Sequence, residues 1–167
     1  MTLDSLNSLS REHAVSELKK CCGSGAWCEK MSDRRPFRNR VELFSAAQSI
    51  WDSLGPDHWR EAFDHHPRIG GVDELRKKFA DTGVWASEEQ RGVASASEDV
   101  IRGLADGNAR YEKRYGHIFL VCATGKSADE MLAILESRME NSPEAELKIA
   151  ASEQAKITRI LLEKLIS

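Results

Sequence analysis

Apolar residues recur at steps of three and four along most of this chain, the spacing of one face of an α-helix. The apolar sets that show it are Leu3, Leu6 and Leu9; Ala14, Val15, Leu18 and Cys22; Trp27 to Met31; Val41, Phe44, Ala47, Ile50, Trp51 and Leu54; Trp59, Ala62 and Phe63; Val93, Ala96, Val100, Leu104 and Tyr111; and Leu147, Ala150, Ala151, Ile157, Ile160, Leu161 and Leu165. A further helix is predicted over residues 127–140. The pattern therefore predicts an all-α protein, a helical bundle of about eight helices.

Residues that favour helix starts stand where these stretches begin. Ser10 is a good N-cap, and Pro56 suits the first turn of a helix. Ser87 to Gln90 match a capping box, in which Ser87 caps the helix and Gln90 reaches back to it. The chain has no repeats and no linker-like stretch, so we expect one compact domain over residues 1–167.

One stretch departs from the helical pattern. His117 to Ala123 is apolar and partly β-branched, as in a buried strand, but nothing else in the chain resembles a partner strand. A lone extended segment would leave peptide groups unpaired in the interior, which costs free energy for each group. Either a helix absorbs this segment, or its peptide groups face something polar, of which a ligand is one example. We expect a buried extended segment near residues 118–123.

Composition narrows the classes of function. With 167 residues, a net charge of -3 and a pI near 6.0, the chain lacks the basic field of a nucleic-acid-binding protein. No stretch is apolar enough to span a membrane, and the first residues lack the pattern of a signal peptide. The four cysteines show no Cys-x-x-Cys spacing, so we expect reduced thiols and a cytoplasmic location.

The stretch DHHPRIGG, Asp64 to Gly71, offers candidate chemistry. Pro67 disfavours helical geometry at His66, which places that imidazole at a helix-to-loop corner beside a stiff neighbour. An imidazole titrates near neutral pH and can donate or accept a proton. The alternative is a histidine at a helix C-terminus, favoured there by the helix dipole alone.

Glu89 is a second candidate, in the first turn of a predicted helix. A carboxylate there is favoured by the helix dipole, and free N–H groups of the same turn could also hold amide or ureido groups of a ligand. No metal site is expected, because the histidines lack the i, i+4 spacing of a metalloenzyme helix. Cys122, in an apolar run, is expected to be a buried small hydrophobe.

Several motifs in order along the chain resemble one known family. They are Asp33–Phe37, His66–Gly71, Glu88–Val93, Tyr111–Leu132 and Arg138–Ile157. Together they resemble the OHCU decarboxylases, whose substrate is 2-oxo-4-hydroxy-4-carboxy-5-ureidoimidazoline, a late intermediate of urate breakdown. The resemblance implies an all-helical, cofactor-free enzyme that yields (S)-allantoin, and family members are often homodimers.

The resemblance also implies roles for individual residues. His66 matches the catalytic histidine, which would protonate the intermediate on one face, and Glu89 matches its paired carboxylate. The positions that match the family's substrate contacts are Pro67, Ala86, Ser87, Glu88, Glu89, Gln90, Phe119, Leu120, Val121, Cys122 and Ala123. Ala86 stands where many members have serine, and Ser87 follows one residue later.

Two other classes of function compete with this one. A helical interaction module without chemistry would explain the amphipathic helices equally well, although not the lone apolar segment. A zinc hydrolase could use His65, His66, His117 and Cys122, but their spacing is not that of a zinc site. Metal analysis of the purified protein distinguishes this last alternative.

Overall fold

A computed structural model describes residues 1–67, 71–80 and 91–167 of the chain, and the side chains of residues 78–80 and 91–97 are outside the description. In this part the helices are α1 Leu3–Ser8, α2 Arg11–Lys19, α3 Gly25–Asp33, α4 Arg40–Asp52, α5 Pro56–Asp64, α6 Val72–Ala80, α7 Arg91–Tyr115, α8 Ala128–Arg138 and α9 Pro143–Leu165. The described residues include no β-strand. The predicted all-α class is confirmed, and α6 is a helix that the apolar spacing did not indicate.

Side chains cap most of the helices at the positions that their sequences favour. Thr2, Ser10, Ser24 and Asn39 each accept a hydrogen bond from a backbone N–H in the first turn of α1 to α4. At α8 the Ser127 side chain and a glutamate in the first turn form a reciprocal capping box. These bonds satisfy N–H groups that a helix start otherwise leaves unpaired.

The contacts group into two compact units. Unit 1 comprises Met1–His66 and Lys148–Ser167, and unit 2 comprises Pro67–Leu147. A single domain over residues 1–167 stays a prediction. Among the described residues, no helix combines the length and the apolar character that crossing a membrane requires.

Unit 1 has a core with two buried tryptophans whose polar atoms are both satisfied. Trp27 Nε1 donates to the carbonyl of Ala47 at 3.1 Å, and Trp51 Nε1 donates to that of Ala151 at 2.9 Å. Each bond removes the cost of burying an unpaired indole N–H. The second bond also joins α4 to α9.

The basic run from Arg34 to Arg40 is largely committed to contacts within unit 1. Arg35 donates to the carbonyls of Leu6 and Leu9 at 2.7 and 2.8 Å, near the end of α1. Arg40 donates to the carbonyl of Ile166 at 2.7 Å. These arginines therefore pair with terminal carbonyls of helices, as cations favourably do.

Unit 2 has a core between α6, α7 and α8. Its buried members are Leu75, Ile101, Leu104, Tyr111, Met131 and Leu135. Two glycines of α7 let α8 approach closely, because a Cβ on Gly107 would lie 2.5 Å from Leu135 Cδ2 and one on Gly103 would lie 3.0 Å from Leu132 Cδ2. The local cost of glycine in a helix is thus offset by packing.

Two of the predicted apolar faces are corrected by the structure. In α4, Val41 is 76% exposed and Leu43 is fully buried. In α9 the buried line is Leu147, Ala150, Ala151, Gln154, Thr158, Leu162 and Ile166, whereas the predicted Ile157, Ile160, Leu161 and Leu165 are only half-buried. The prediction counted apolar residues alone, and the buried face of α9 contains polar ones.

Candidate functional site

His66 lies at the corner that the following proline predicts. Helix α5 ends at Asp64 with His65 as its C-cap, and the backbone N–H of His66 donates to the carbonyl of Phe63 at 3.1 Å. Pro67 follows and cannot continue a helix. The imidazole therefore leaves the chain one residue beyond the end of a helix whose Phe63 is fully buried.

The loop between α2 and α3 packs directly against this corner. A Cβ added to Gly23 would lie 2.2 Å from the Cβ of His65, closer than real Cβ atoms come, so only glycine fits there. Next to it, the backbone N–H of Gly25 donates to Glu61 Oε1 of α5 at 3.2 Å. The backbone on which His66 stands is thus held by contacts on a second segment of unit 1.

The His66 ring is tied to a buried amide of α9. Its Nε2 lies 2.6 Å from Gln154 Oε1, and Gln154 Nε2 donates to Thr158 Oγ1 at 3.0 Å. Gln154 is 1% exposed and Thr158 is 5% exposed, whereas His66 is half-buried. A buried amide that lacked these partners would cost about 1–3 kcal/mol, so the three groups stabilise one another's positions.

The line of polar groups continues to a buried thiol. Burial raises the pKa of Cys22 to about 11, although hydrogen bonds from Ser24 and Thr158 oppose that shift. Cys22 is therefore a neutral thiol at physiological pH and not a nucleophile.

The apolar segment at residues 118–123 belongs to unit 2 and is neither helix nor strand. Its burial alternates: Leu120 and Cys122 are buried at 3% and 8% exposure, while Phe119, Val121 and Ala123 are half-buried. The prediction of a segment outside the helices is confirmed, but only alternate side chains of it are buried.

Side chains take up some of the carbonyls of this segment. Arg138 Nη1 donates to the carbonyl of Leu120 at 2.6 Å, and Lys126 Nζ donates to that of Cys122 at 2.8 Å. Among the described residues, the peptide groups of Phe119 and Val121 make no hydrogen bond. These groups are available to bind a polar molecule.

Arg138 is the centre of a buried polar cluster that also contains Tyr111, Asn141 and Glu146. Glu146 is fully buried and forms an ion pair with Arg138. Arg138 Nε lies 2.7 Å from Glu146 Oε1. Glu146 also accepts hydrogen bonds from Tyr111 Oη and, at 2.9 Å, from Asn141 Nδ2. The guanidinium also lies over the rings of Phe119 and Tyr111, 4.8 and 5.7 Å from their centroids. Burial, reinforced by the hydrogen bond to Glu146, raises the pKa of Tyr111.

The predicted site residues fall in three places. His66 is in unit 1, and Pro67 and Phe119 to Ala123 are in unit 2. Ala86 to Gln90, among them Glu89 and the predicted capping box, lie outside the described residues, as do Arg68 to Gly70. The roles of all these residues in catalysis or binding stay predictions.

The predicted site residues did not include the polar residues that hold the His66 ring and the Leu120 carbonyl in place. Gln154 and Thr158 follow Ala150 at steps of four, so their position on the buried face of α9 was a usable signal. Arg138 and Glu146 gave no such signal by spacing, because they meet only through the turn between α8 and α9. All except Thr158 lie within the tail motif that carried the family resemblance.

The described residues include no group of three or more His, Cys, Asp or Glu side chains arranged to hold a metal ion. Cys21, Cys22, Cys28 and Cys122 form no disulfide and are buried. The zinc alternative therefore has no ligand cluster in this part of the chain.

Comparisons with known proteins agree with one another. A family model described as OHCU decarboxylase matches residues 7–163. The uric acid degradation bifunctional protein TTL of Arabidopsis thaliana is 36% identical over 161 residues, which are 95% of this chain and 49% of that protein. The 2-oxo-4-hydroxy-4-carboxy-5-ureidoimidazoline decarboxylase of Amia calva is 26% identical over 172 residues, which cover 99% of this chain and 95% of that protein.

A solved structure is similar in both sequence and fold. The crystal structure of OHCU decarboxylase in the presence of (S)-allantoin is 35% identical, with a TM-score of 0.71, and the match covers 90% of this chain and 96% of that chain. The family resemblance predicted from the motifs is thus confirmed over almost the whole sequence. On the family model, the relatives and the shared helical fold, this chain belongs to the OHCU decarboxylase family.

Proposed function

We propose that this chain decarboxylates 2-oxo-4-hydroxy-4-carboxy-5-ureidoimidazoline to (S)-allantoin without a cofactor. The observation that carries the proposal is His66, a half-buried imidazole on a rigid corner with one ring nitrogen bound to a buried amide. It stands in a chain of this family, one of whose solved members was crystallised in the presence of (S)-allantoin.

The proposal concerns the decarboxylase reaction alone. The chain spans about half the length of the plant bifunctional relative and about a third of the Bacillus subtilis bifunctional protein PucL, but nearly all of the Amia calva decarboxylase. Any further activity of the bifunctional proteins is not carried over to this chain.

The substrate explains why no cofactor is needed. Its carboxylate sits on a carbon next to a ring C=N group. When the bond to the carboxylate breaks and CO₂ leaves, its electron pair forms a C=C bond to the neighbouring carbon, and the imine pair moves to nitrogen, which takes up a proton. The neighbouring carbon is then protonated on one face while the hydroxyl loses its proton and becomes a carbonyl. One proton is consumed overall.

The protein has to orient the carboxylate, stabilise charge on nitrogen and deliver the final proton to one face. His66 is proposed as the proton donor, a role that typically accelerates a reaction by about 10²–10⁴-fold. Glu89 is proposed to orient the ring or to bind the substrate hydroxyl. The peptide groups of Phe119 and Val121, which have no hydrogen-bond partner in the described part of the chain, are suited to bind the ring and ureido groups of the substrate.

A location and an assembly are also proposed. A reducing compartment such as the cytoplasm suits four buried cysteines that form no disulfide. A homodimer is proposed from the resemblance to the family, and light scattering after size-exclusion chromatography measures it directly.

The test of the proposed function is turnover of freshly generated substrate, followed by the circular dichroism of the chiral product. We expect wild-type protein to form (S)-allantoin and His66→Asn to lose about 10²-fold or more in kcat because the proton donor is gone. The matched control is His65→Asn, which changes the neighbouring imidazole and keeps its Cβ against Gly23; it should retain most of the rate.

Two outcomes would contradict the proposal. If the wild-type protein does not accelerate the reaction, the proposed function is wrong. If His66→Asn has wild-type turnover, His66 is not the proton donor. Glu89→Gln separates two further interpretations, because lost rate in a folded protein indicates catalysis, whereas unfolding indicates helix capping.

A further inference from the structure

The two ends of the Gln154 side chain are chemically different, and their orientation decides which nitrogen of His66 carries a hydrogen. The carbonyl end, Oε1, can only accept a hydrogen bond, and the NH₂ end can only donate. In the structure Oε1 lies 2.6 Å from His66 Nε2, and Nε2 of the amide donates to Thr158 Oγ1 at 3.0 Å. Nε2 of His66 must then be the donor.

Thr158 is the second partner of the buried amide. The Gln154 NH₂ group donates to Thr158 Oγ1 at 3.0 Å, and this leaves the carbonyl oxygen Oε1 for the His66 ring.

The reaction favours the same orientation, and this step rests on the proposed function. A histidine that is about to donate a proton is a cation with hydrogen on both ring nitrogens. If the amide NH₂ faced His66 Nε2, two donors would meet at 2.6 Å, so the cation would be disfavoured. A carbonyl oxygen in that position accepts from both the cation and the neutral ring.

We propose that Gln154 is a positioning residue that keeps the hydrogen on Nε2 of His66, so that Nδ1 is the atom that delivers the proton to substrate. Among the described residues, nothing hydrogen-bonds Nδ1. Gln154, almost fully buried on α9, also fixes the rotation of the ring about its own bonds. Stereospecific protonation requires a ring that cannot turn to present its other nitrogen.

The direct test is nitrogen NMR of histidine-labelled protein at a pH where the His66 ring is neutral. We expect the Nε2 resonance of His66 in the range of a protonated ring nitrogen and the Nδ1 resonance in the range of an unprotonated one. The signals that vanish in His66→Asn identify this residue among the five histidines. Hydrogen on Nδ1 instead of Nε2 would overturn the proposal.

A pair of substitutions tests the consequence for turnover. Gln154→Met keeps the length of the side chain but removes the acceptor, and we expect kcat to fall about tenfold or more with KM changed less than about threefold. Gln154→Glu retains an acceptor oxygen and should recover most of that loss. The neutral ring in Gln154→Met should show hydrogen on either nitrogen.

The outcomes separate this proposal from the proposed function. Wild-type kcat in a folded Gln154→Met protein, or equal losses in both variants, would overturn the positioning role and leave the decarboxylase proposal intact. If wild-type protein showed no turnover, the decarboxylase proposal would fall, and the NMR of the ring would still decide which nitrogen carries the hydrogen. Should Gln154→Met not fold, Gln154→Glu and the NMR of the wild-type ring decide the question.

Discussion

At the scale of single residues, the catalytic candidate depends on neighbours that have no chemistry of their own. His65 fills the space that a side chain on Gly23 would need, and Gln154 holds the ring of the next residue. The alternative interpretation, in which the helix dipole alone favours a histidine at position 66, does not explain why the buried Gln154 amide lies 2.6 Å from the ring. The position of His66 at a corner could be predicted from the sequence, but its pairing with Gln154, 88 residues away, could not.

Replacing Gly23 should disturb the corner more than the protein as a whole. In Gly23→Ala, the new methyl group and His65 Cβ cannot both keep their positions 2.2 Å apart, so we expect a loss of about 1–3 kcal/mol in the free energy of unfolding and a reduced kcat. Urea unfolding and the product assay measure the two effects.

Gly55→Ala is the control for this prediction, because no atom beyond the two adjacent residues lies within 4 Å of a Cβ built there. It should leave both quantities nearly unchanged. Equal effects of the two substitutions would show that the close contact at Gly23 does not position the corner.

At the scale of elements, one buried arginine connects the end of α8, the first turn of α9 and the non-helical segment before α8. Arg138 pairs with Glu146 and donates to the carbonyl of Leu120. The segment at residues 118–123 could be predicted as non-helical from its composition, because β-branched residues disfavour helix. The contacts that hold this segment could not be predicted, because Arg138, Glu146 and Leu120 come from three separate stretches of the chain.

Removing the charge of Glu146 should be costly, since it leaves the Arg138 guanidinium, 5% exposed, without a counter-ion. We expect Glu146→Gln to lower the free energy of unfolding by about 3–5 kcal/mol, the usual effect of breaking a buried pair. Denaturation in urea at neutral pH gives this value.

The matched control is Glu163→Gln, in a solvent-exposed pair with Arg159 at 3.3 Å. Exposed pairs contribute at most about 1 kcal/mol, so the control should be close to wild type. If both variants lost the same stability, the buried cluster would not be the anchor of the segment.

At the scale of the whole molecule, buried thiols make stability depend on alkaline pH. Burial raises the pKa of Cys21 to about 12, of Cys22 to about 11 and of Cys28 to about 12, from an ordinary value of 9.0. The folded state therefore keeps these protons when the unfolded chain has lost them. Their contribution is complete below about pH 9 and declines as pH rises towards the folded values.

We expect the free energy of unfolding to fall between about pH 9 and pH 11, by up to about 1.4 kcal/mol per pH unit for each thiol. Urea unfolding across this range measures the slope. In Cys21→Ala the free energy of unfolding should fall less steeply with pH, by the contribution of one thiol, whatever the stability of the variant at neutral pH. An unchanged slope would show that Cys21 titrates alike in the folded and unfolded chains.

The all-α class, the starts of α2 and α5 and the family could be predicted from the amino-acid sequence. The fold class and these helix starts follow from local chemistry: apolar residues at three- and four-residue steps, a serine cap at Ser10 and a proline in the first turn at Pro56. The restriction that Pro67 imposes on His66 is local in the same way. Which helix faces are buried, and which polar groups meet, depends on how the helices pack. It exposed Val41, and it buried Gln154 where His66 needs an acceptor. The reason is physical: a polar side chain enters a core only where distant parts of the chain supply its partners, and that is a property of the packed fold.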